Sequence, residues 1–391
     1  MYKNLETLPL LTASDLGHPK WEKAPSDTTV LVGMSGGVDS SVTAVWLKHS
    51  GFNVIGMFMK NWEEKDENGV CQSAKEYADV IKVCEAHDIP YYSVDFVEEY
   101  RENVFSHFLE EYKLGHTPNP DILCNREIKF KVFYQKAMQL GADFLATGHY
   151  CQNKFENGQN RLVKGVDSGK DQTYFLYAIN GEVLSNVIFP LGHLQKSEVR
   201  QIAALFNLAT KNKKDSTGIC FIGERNFRNF LSQYIESSKG EFQTLDGNSV
   251  GEHIGAVFYT TGQRKGLGLG GPGGPWFVVD KDLEKNIVFV ERGTDHPALF
   301  RDELFCVENT WISQDVEFPL KCCAKIRYRQ SDTECLVEVV SEDKLRVRFT
   351  RPQRAITLRQ SIVFYRGDEC LGGGIISEVG PSYHELGLKV D

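Results

Sequence analysis

A glycine- and serine-rich segment at residues 33–41 has the residue types that bind phosphate groups. It follows an apolar run at residues 28–32 and precedes a segment with helical spacing at residues 41–49. Glycines let the backbone approach an anion closely, and the free N–H groups and dipole of a helix start attract negative charge. Hydroxyl donors are added by Ser35, Ser40 and Ser41. Asp39 fits beside an anion if it holds a cation, for which Mg²⁺ is the natural choice.

The order of residues separates this segment from the commonest phosphate-binding motifs. It has neither the Gly-Lys-Ser/Thr ending of a P-loop nor the G-x-G-x-x-G pattern of a dinucleotide site. The pattern Ser-Gly-Gly-Val-Asp-Ser is similar instead to the loop of the ATP pyrophosphatases, which cleave ATP between the α and β phosphates. The alternative is a plain glycine turn in an α/β core, which does not need three hydroxyls and a carboxylate.

A second segment, at residues 115–125, is a polar loop whose backbone is fixed by two prolines. It presents Asn119, Asp121 and Cys124 near the start of a predicted helix. Because a helix N-terminus stabilises thiolate, Cys124 can have a lowered pKa there. The alternative is a structural role, in which Cys124 is a buried cysteine at the end of a core helix.

A third segment, at residues 211–225, is a basic loop of small residues that carries Cys220 between apolar neighbours. The lysines at 211, 213 and 214 can lower the pKa of this thiol and contact phosphate. Flexibility would suit a thiol that must meet a sulfur donor and then a substrate. The alternative is an ordinary solvated run of lysines.

The elements that must position these loops alternate between strand and helix. Strands are predicted at residues 28–32, 53–59, 91–96 and 142–147, and helices at residues 40–49, 73–87, 97–114 and 125–140. This alternation predicts an α/β fold with a doubly wound, mostly parallel sheet, whose ligands lie at the carboxyl ends of the strands. The glycine loop, residues 59–62 and residues 148–150 all fall at that edge.

The remaining chain changes character near residue 226. Helices are predicted at residues 196–208 and 227–235, a hairpin or loop at 155–161, and β-like runs at 325–329, 335–340, 345–349 and 361–365. These runs predict a small β-barrel or sandwich. The predicted organisation is an N-terminal extension at 1–27, a catalytic domain at 28–225, a central domain at 226–297 and a β-barrel at 298–391.

Composition is that of an ordinary soluble protein: of 391 residues, 41% are hydrophobic and 25% charged, with a net charge of −9. This charge is not typical of a nucleic-acid binder, although a local basic face can bind RNA on an acidic protein. The ten cysteines include no Cys-x-x-Cys pair, which argues against zinc. Without a signal peptide, transit peptide or long apolar run, we expect a cytoplasmic protein with reduced thiols and no membrane contact.

Taken together, these segments resemble the bacterial tRNA-specific 2-thiouridylase family, whose members belong to the ATP pyrophosphatases. The resemblance runs from about residue 28 to the C-terminus, and its most specific parts are residues 119–125 and 215–225. It implies a tRNA-uridine 2-sulfurtransferase that uses ATP and Mg²⁺ to convert the wobble uridine (position 34) to 2-thiouridine. It also implies a catalytic domain followed by a small central domain and a tRNA-contacting β-barrel.

The resemblance assigns roles position by position. ATP would be bound by Gly33, Met34, Ser35, Gly36, Gly37, Val38, Asp39, Ser40, Met59 and Gly148. Cys124 matches the nucleophile, and Cys220 the cysteine that carries a persulfide. The target base would meet Asn119, Pro120 and Asp121. Further tRNA contacts would come from His149, Lys170, Asp171, Gln172, Arg327, Tyr328 and Gln360. The chain departs from the family at Cys151-Gln152, where a small residue and an arginine are expected, which weakens one phosphate contact.

The implied mechanism explains why these residue types are needed. ATP adenylates the uridine C2 oxygen and releases pyrophosphate, and sulfur from a Cys220 persulfide then displaces AMP. Cys124 either reduces that persulfide to free sulfide or forms a bond to Cys220 as Cys220 delivers its sulfur. Both routes can end in a Cys124–Cys220 disulfide. Asp121 is the candidate for proton transfer, with a helix cap as its alternative role. The sulfur donor would be a relay protein or a cysteine desulfurase, and the substrates the anticodon stem-loops of tRNAs for Lys, Glu and Gln.

Three other functions remain open from the residues alone. An ATP-dependent amidotransferase or synthetase would use the same glycine loop, but it would not need two isolated loop cysteines. A non-catalytic RNA-binding protein would not need an intact Ser-Gly-Gly-Val-Asp-Ser. A thiol-disulfide protein would be expected to carry Cys-x-x-Cys.

Overall fold

The computed structural model describes residues 4–17, 23–63, 69, 71–215 and 227–390. Within these residues the strands of the N-terminal half are β1 Thr29–Met34, β2 Asn53–Lys60, β3 Tyr91–Asp95, β4 Phe144–Ala146, β5 Cys151–Glu156, β6 Gln159–Lys164 and β7 Val187–Ile188. The strands that follow are β8 Gly240–Gln243, β9 Ser249–His253, β10 Trp276–Asp282, β11 Ile287–Arg292, β12 Phe300–Trp311, β13 Leu320–Lys325, β14 Thr333–Ser341, β15 Lys344–Arg354, β16 Ser361–Arg366 and β17 Glu369–Val379.

The helices include two that change pitch along their length. They are α1 Val38–His49, α2 Gln72–Ala86, α3 Val97–Tyr100, α4 Ser106–Lys113, α5 Pro120–Leu123, α6 Tyr134–Gln139, α7 Thr173–Leu176, α8 Gly181–Leu184, α9 Lys196–Leu205 and α10 Phe227–Leu231. A π-helical turn at Arg101–Phe105 joins α3 to α4, and a longer one at Cys124–Phe133 joins α5 to α6. Short 3-10 turns lie at Leu5–Thr7, Ser14–Leu16, Pro25–Asp27, Ala256–Phe258 and Pro297–Leu299. None of these helices is long and apolar enough to cross a membrane.

The parallel sheet predicted for the N-terminal half is confirmed. Its order is β3-β2-β1-β4-β7, and every neighbouring pair is parallel. Side chains alternate across the central strand, so Val30 and Val32 pack into one core with α1 and α9, while Leu31 packs into another with residues 104–133. The strand is buried on both faces, as a doubly wound sheet requires.

A closed antiparallel β-barrel forms the C-terminal part, as predicted. Its strands follow the order β12-β15-β14-β13-β16-β17, and pairing of β12 with β17 closes the circle. Between this barrel and the parallel sheet lies a central four-stranded sheet, in the order β10-β11-β8-β9. The barrel core includes Leu304, Val347 and Phe364, all fully buried.

The strand predicted at residues 325–329 is wrong. The strand there is β13, which ends at Lys325, and the chain then turns, with Arg329 at a φ of +63°. The side chain of Gln330 accepts a hydrogen bond from the N–H of Ile326 and closes the turn. Alternating residue types over five positions did not distinguish a strand from this turn.

The β5–β6 hairpin joins the catalytic half of the chain to the barrel. Strand β6 pairs with β17, which makes the hairpin an extension of the barrel sheet. On β6, Arg161 is buried and its guanidinium donates to Glu369 at 2.5 Å and Asp315 at 2.6 Å. Strand pairing and two ion pairs of Arg161 therefore connect the catalytic half of the chain to the barrel.

Candidate functional site

The glycine loop connects the carboxyl end of β1 to the start of α1. Gly36 has a φ of +71°, a conformation that favours glycine, and Gly37 is the N-cap residue of α1. The N–H of Ser35 donates to the hydroxyl of Ser40 at 3.1 Å, which folds the loop back over the helix start. Met59 lies beside it, half-buried at the carboxyl end of β2. The predicted ATP-binding residues of β1, β2 and α1 are therefore at one edge of the sheet.

Gly148 packs directly against this helix start. A Cβ atom at position 148 would lie 2.9 Å from both the carbonyl carbon of Asp39 and the nitrogen of Ser40. That separation is too short for any side chain, so only glycine lets the segment after β4 approach the loop. The structure thus brings Gly148 to the predicted ATP site.

The carboxylate of Asp39 is held by two side chains. The Tyr150 hydroxyl donates to it at 2.8 Å, and the Lys196 ammonium lies 2.7 and 2.8 Å from its two oxygens. Burial and the nearby Asp39 raise the pKa of Tyr150, so the phenol stays protonated. Lys196 is the first residue of α9 and also contacts Asp215 at 2.9 Å.

Asp215 extends this network toward a predicted tRNA contact. It accepts hydrogen bonds from Lys170 at 2.5 Å and from Arg200 at 2.9 Å. Burial opposes ionisation of Asp215, but its hydrogen bonds with Lys170 and Lys196 outweigh that effect and lower its pKa to about 2. A charged cluster of fixed geometry therefore lies beside the glycine loop.

This geometry does not fit a metal ion bound directly to Asp39. Both oxygens face an ammonium group at hydrogen-bond distance, which is where a cation would have to sit. Among the described residues, no group of three His, Cys, Asp or Glu side chains could hold a metal ion. The assignment of Mg²⁺ to Asp39 stays a prediction, and this arrangement does not favour it.

The second predicted loop ends in a well-formed helix start. Asn119 is the N-cap of α5, and its side chain accepts from the N–H of Asp121 at 3.2 Å, with Pro120 in the first turn. Asn119 therefore takes the capping role that was the alternative for Asp121. The helix predicted over residues 125–140 begins earlier, at Pro120, and places Cys124 inside it.

Burial controls the ionisation of the groups around Cys124. It raises the pKa of the Cys124 thiol to about 11, opposite to the lowering that a helix start alone would give. Burial also raises the pKa of Asp121 to about 6. His149 has its pKa well below the usual value because it is buried and lies near Lys129. The lysine ammonium donates to Asn125 at 2.8 Å and lies 3.3 Å from His149 Nε2.

Both other domains hold the loop that leads to Asn119. Lys281, from β10, donates to the carbonyl oxygens of Gly115 and Tyr259, and burial lowers its pKa to about 8. From the barrel, the amide of Gln360 donates to the carbonyl of Thr117 at 2.5 Å. The position of the loop thus depends on the whole assembly of sheets.

Several predicted tRNA contacts make hydrogen bonds within the protein. Asp171 is buried and accepts from Thr173 at 2.9 Å, while Gln172 accepts from the N–H of Tyr150 at 2.9 Å. Arg327 donates to the carbonyls of residues 261 and 355, and Tyr328 packs on Phe175 with ring centroids 4.5 Å apart. These contacts position the residues, and their roles toward tRNA stay predictions.

The predicted ATP site and the helix that carries Cys124 come together at two consecutive residues, Gly148 and His149. Gly148 touches the glycine loop, and His149 lies beside Lys129 on the Cys124 helix. Cys220 lies outside the described residues. Lys129 and Lys196 were not singled out from the sequence, and Asp215 was included in the segment 215–225 without being given a role. Lys196 follows a strand at the same edge of the sheet, so it could have been found by the argument that applied to Gly148.

Comparison with known proteins adds a family context. Residues 28–224 match the model of the tRNA methyl transferase HUP domain, residues 228–292 its PRC-barrel domain, and residues 301–376 an aminomethyltransferase β-barrel domain. The chain is 60% identical over 358 residues to the tRNA-specific 2-thiouridylase MnmA of Protochlamydia amoebophila, covering 91% of this chain and 95% of the relative. It is 54% identical over 360 residues to MnmA of Bacillus subtilis, covering 92% and 97%.

Proposed function

This chain belongs to the tRNA-specific 2-thiouridylase family, and on that premise we propose that it converts the wobble uridine of tRNA to 2-thiouridine. The observation that carries the proposal is the junction at residues 148 and 149, where the glycine loop and the Cys124 helix meet. An enzyme that activates an oxygen with ATP and then replaces it with sulfur needs both sites around one atom.

In the proposed first step, ATP occupies the glycine loop, Met59 and Gly148, and the uridine C2 oxygen attacks its α phosphate. As N3 loses its proton the C2 oxygen becomes more nucleophilic, its bond to the α phosphorus forms, and the bond from that phosphorus to the β-phosphate oxygen breaks to release pyrophosphate. The Lys196 ammonium supports this step because it is a cation fixed beside the loop, where charge develops on the departing phosphates. Mg²⁺ enters the proposal only as the counter-ion of ATP.

In the proposed second step, sulfur arrives as a persulfide on Cys220. In one route the Cys124 thiolate attacks the inner sulfur, forming a Cys124–Cys220 disulfide and releasing hydrosulfide, which displaces AMP from C2. In the other, the terminal sulfur attacks C2 and expels AMP, and Cys124 then cleaves the mixed disulfide to free the thiouridine. Either route oxidises the two thiols to a disulfide, so a thiol reductant must reopen it before the next turnover.

The proposal includes the partners and the domain roles inferred from the sequence. The substrate base must leave the stack of the anticodon loop to reach Asp121 and Cys124. The barrel, which begins near residue 298 after a central domain that begins near residue 226, would contact the stem-loop of tRNAs for Lys, Glu and Gln. A relay protein or a cysteine desulfurase would load Cys220.

Asp121 is proposed to accept the N3 proton, which makes the reaction pH-dependent. Its pKa of about 6 means that the carboxylate is protonated, and inactive as a base, below that pH. We expect the single-turnover rate of pyrophosphate release to fall about tenfold per pH unit below pH 6. In Asp121→Asn the rate should be about 100-fold lower and lose this acid limb. If the rate of the variant still fell in the same way below pH 6, the titrating group would be a residue other than Asp121.

The proposed function is tested with full-length protein, ATP, Mg²⁺, a lysine tRNA transcript, and a cysteine desulfurase with cysteine. We expect pyrophosphate release that requires tRNA, and 2-thiouridine at position 34 in the nuclease digest. Gly148→Ala should lower both at least about tenfold, because its Cβ would overlap the helix start. Gly270→Ala is the matched control, since its Cβ would meet nothing within 4 Å.

Two results would contradict the proposal. Pyrophosphate released equally without tRNA would favour a synthetase for a small molecule. Full activity in Gly148→Ala would place the nucleotide elsewhere.

A further inference from the structure

Lys129 occupies an unusual place in the helix that carries Cys124. Residues 124–133 form a π-helical segment that is kinked at Phe130, whose φ of −100° and ψ of 15° are not helical. Residue 129 directly precedes this kink, one turn after residues 124 and 125, and its ammonium donates to the Asn125 side chain at 2.8 Å. Asn125 is itself fixed, because its amide donates to the carbonyl of Phe175 at 3.0 Å.

The charge of Lys129 acts on three groups of the proposed reaction. Among the described residues, the charged groups that act on Cys124 are Lys129, which favours thiolate, and Asp121, which opposes it. Lys129 also favours the ionised form of Asp121. The same charge disfavours protonation of His149. The positive charge of Lys129 therefore favours ionisation of both Cys124 and Asp121 and helps to keep His149 neutral.

The hydrogen bonds of His149 are consistent with a fixed cation at this place. An ammonium can only donate, so His149 Nε2 must be the acceptor of the 3.3 Å contact. The proton is then on Nδ1, which donates to the Thr147 hydroxyl at 2.8 Å. His149 is neutral in this arrangement and serves as an anchor for Lys129, not as a proton carrier.

We propose that Lys129 is a positioning residue that stabilises the Cys124 thiolate and the Asp121 carboxylate, and so increases the reactivity of the buried thiol. The proposal rests on the proposed function, in which Cys124 is a nucleophile. It goes beyond that function because it identifies Lys129 as the charge that opposes the effect of burial on the Cys124 thiol. Deprotonation of Cys124 transfers its proton to solvent or to the Asp121 carboxylate, and Lys129 takes no part in that transfer.

The test measures how fast Cys124 reacts in the free, full-length protein. Methyl methanethiosulfonate is a small neutral reagent that modifies thiolates, and digestion followed by mass spectrometry reports each cysteine separately. We expect Lys129→Gln and Lys129→Met to slow modification of Cys124 about tenfold at pH 7, 8 and 9, because loss of a nearby opposite charge raises a thiol pKa by about one unit. Lys129→Arg, which keeps the charge, should stay within about threefold of the wild type.

The controls separate charge from structure. Lys131→Gln removes a lysine two residues away that pairs with Glu127 at 2.7 Å, and it should leave Cys124 unchanged. An unfolded variant would expose Cys124 and react faster, so loss of the fold cannot imitate the expected result. Wild-type rates in Lys129→Gln, or an equal loss in Lys131→Gln, would overturn the proposal. Because no ATP or tRNA is present, these outcomes are independent of whether the protein thiolates tRNA.

Discussion

Replacing Cys124 by serine is expected to abolish 2-thiouridine formation while tRNA-dependent pyrophosphate release continues. The side chain is buried in the helix that follows Asn119, whereas the proposed phosphate contacts lie on the glycine loop. Serine has nearly the same shape, but its hydroxyl neither attacks a persulfide nor forms a disulfide. Product should fall by more than about 1000-fold, since loss of a nucleophile removes the covalent step itself. The measurement is 2-thiouridine and pyrophosphate from the same single-turnover reaction.

Cys84→Ser provides the matched control for this variant. Cys84 is a buried thiol of the same parallel-sheet half, on α2, and burial raises its pKa to about 11, as it does for Cys124. It lies on the other face of the sheet from Cys124, so its loss should leave thiolation nearly intact. Thiouridine made by Cys124→Ser at more than a trace would remove Cys124 from the mechanism.

The sheet was predictable because its signals are local. The apolar run before the glycine loop is a central strand, and alternation of strand and helix at short spacing leaves few topologies other than a parallel sheet. The start of the Cys124 helix was local as well, since Asn119 and Pro120 are a typical cap and first residue. The barrel was predicted as a class, but the turn after Lys325, which the side chain of Gln330 closes, was mistaken for a strand.

The electrostatics of the site were not predictable in the same way. A helix start favours thiolate, but Cys124 is part of a buried core that also contains Ile122, Ile128 and Phe133, and the cost of desolvation is larger. The Lys129 ammonium also lies 3.3 Å from His149, which follows β4. Both effects arise from packing between separate parts of the chain, which a sequence read in short windows does not contain.

The same limit applies to the residues proposed to contact tRNA. Arg327 and Gln360 are polar residues of the barrel, and the sequence gives no reason to expect bonds within the protein. In the structure they hold a central-domain carbonyl and the loop at residues 115–119. Gln360 therefore joins the barrel directly to the loop that leads to Cys124.

Replacing Lys196 by methionine is expected to remove the ATP-cleaving step. Lys196 is the cation that lies between the carboxylates of Asp39 and Asp215 at the glycine loop. Without it, the Asp39 charge is left unbalanced beside the place where the phosphates of ATP would bind, and the departing pyrophosphate loses a fixed positive partner. The expected loss in tRNA-dependent pyrophosphate release is at least about 100-fold, or ~2.7 kcal/mol of transition-state stabilisation.

Arg200→Met distinguishes this effect from a general disturbance of the charged cluster. Arg200 also pairs with Asp215, at 2.9 Å, and this ion pair does not involve Asp39. It should therefore retain pyrophosphate release within about threefold of the wild type, as expected for a partly exposed ion pair. Equal losses in the two variants would show that Asp215, not the Asp39 side of the network, governs the reaction. A Lys196→Met protein with wild-type pyrophosphate release would remove the lysine from the ATP step, while the role of Cys124 would stand on its own measurement.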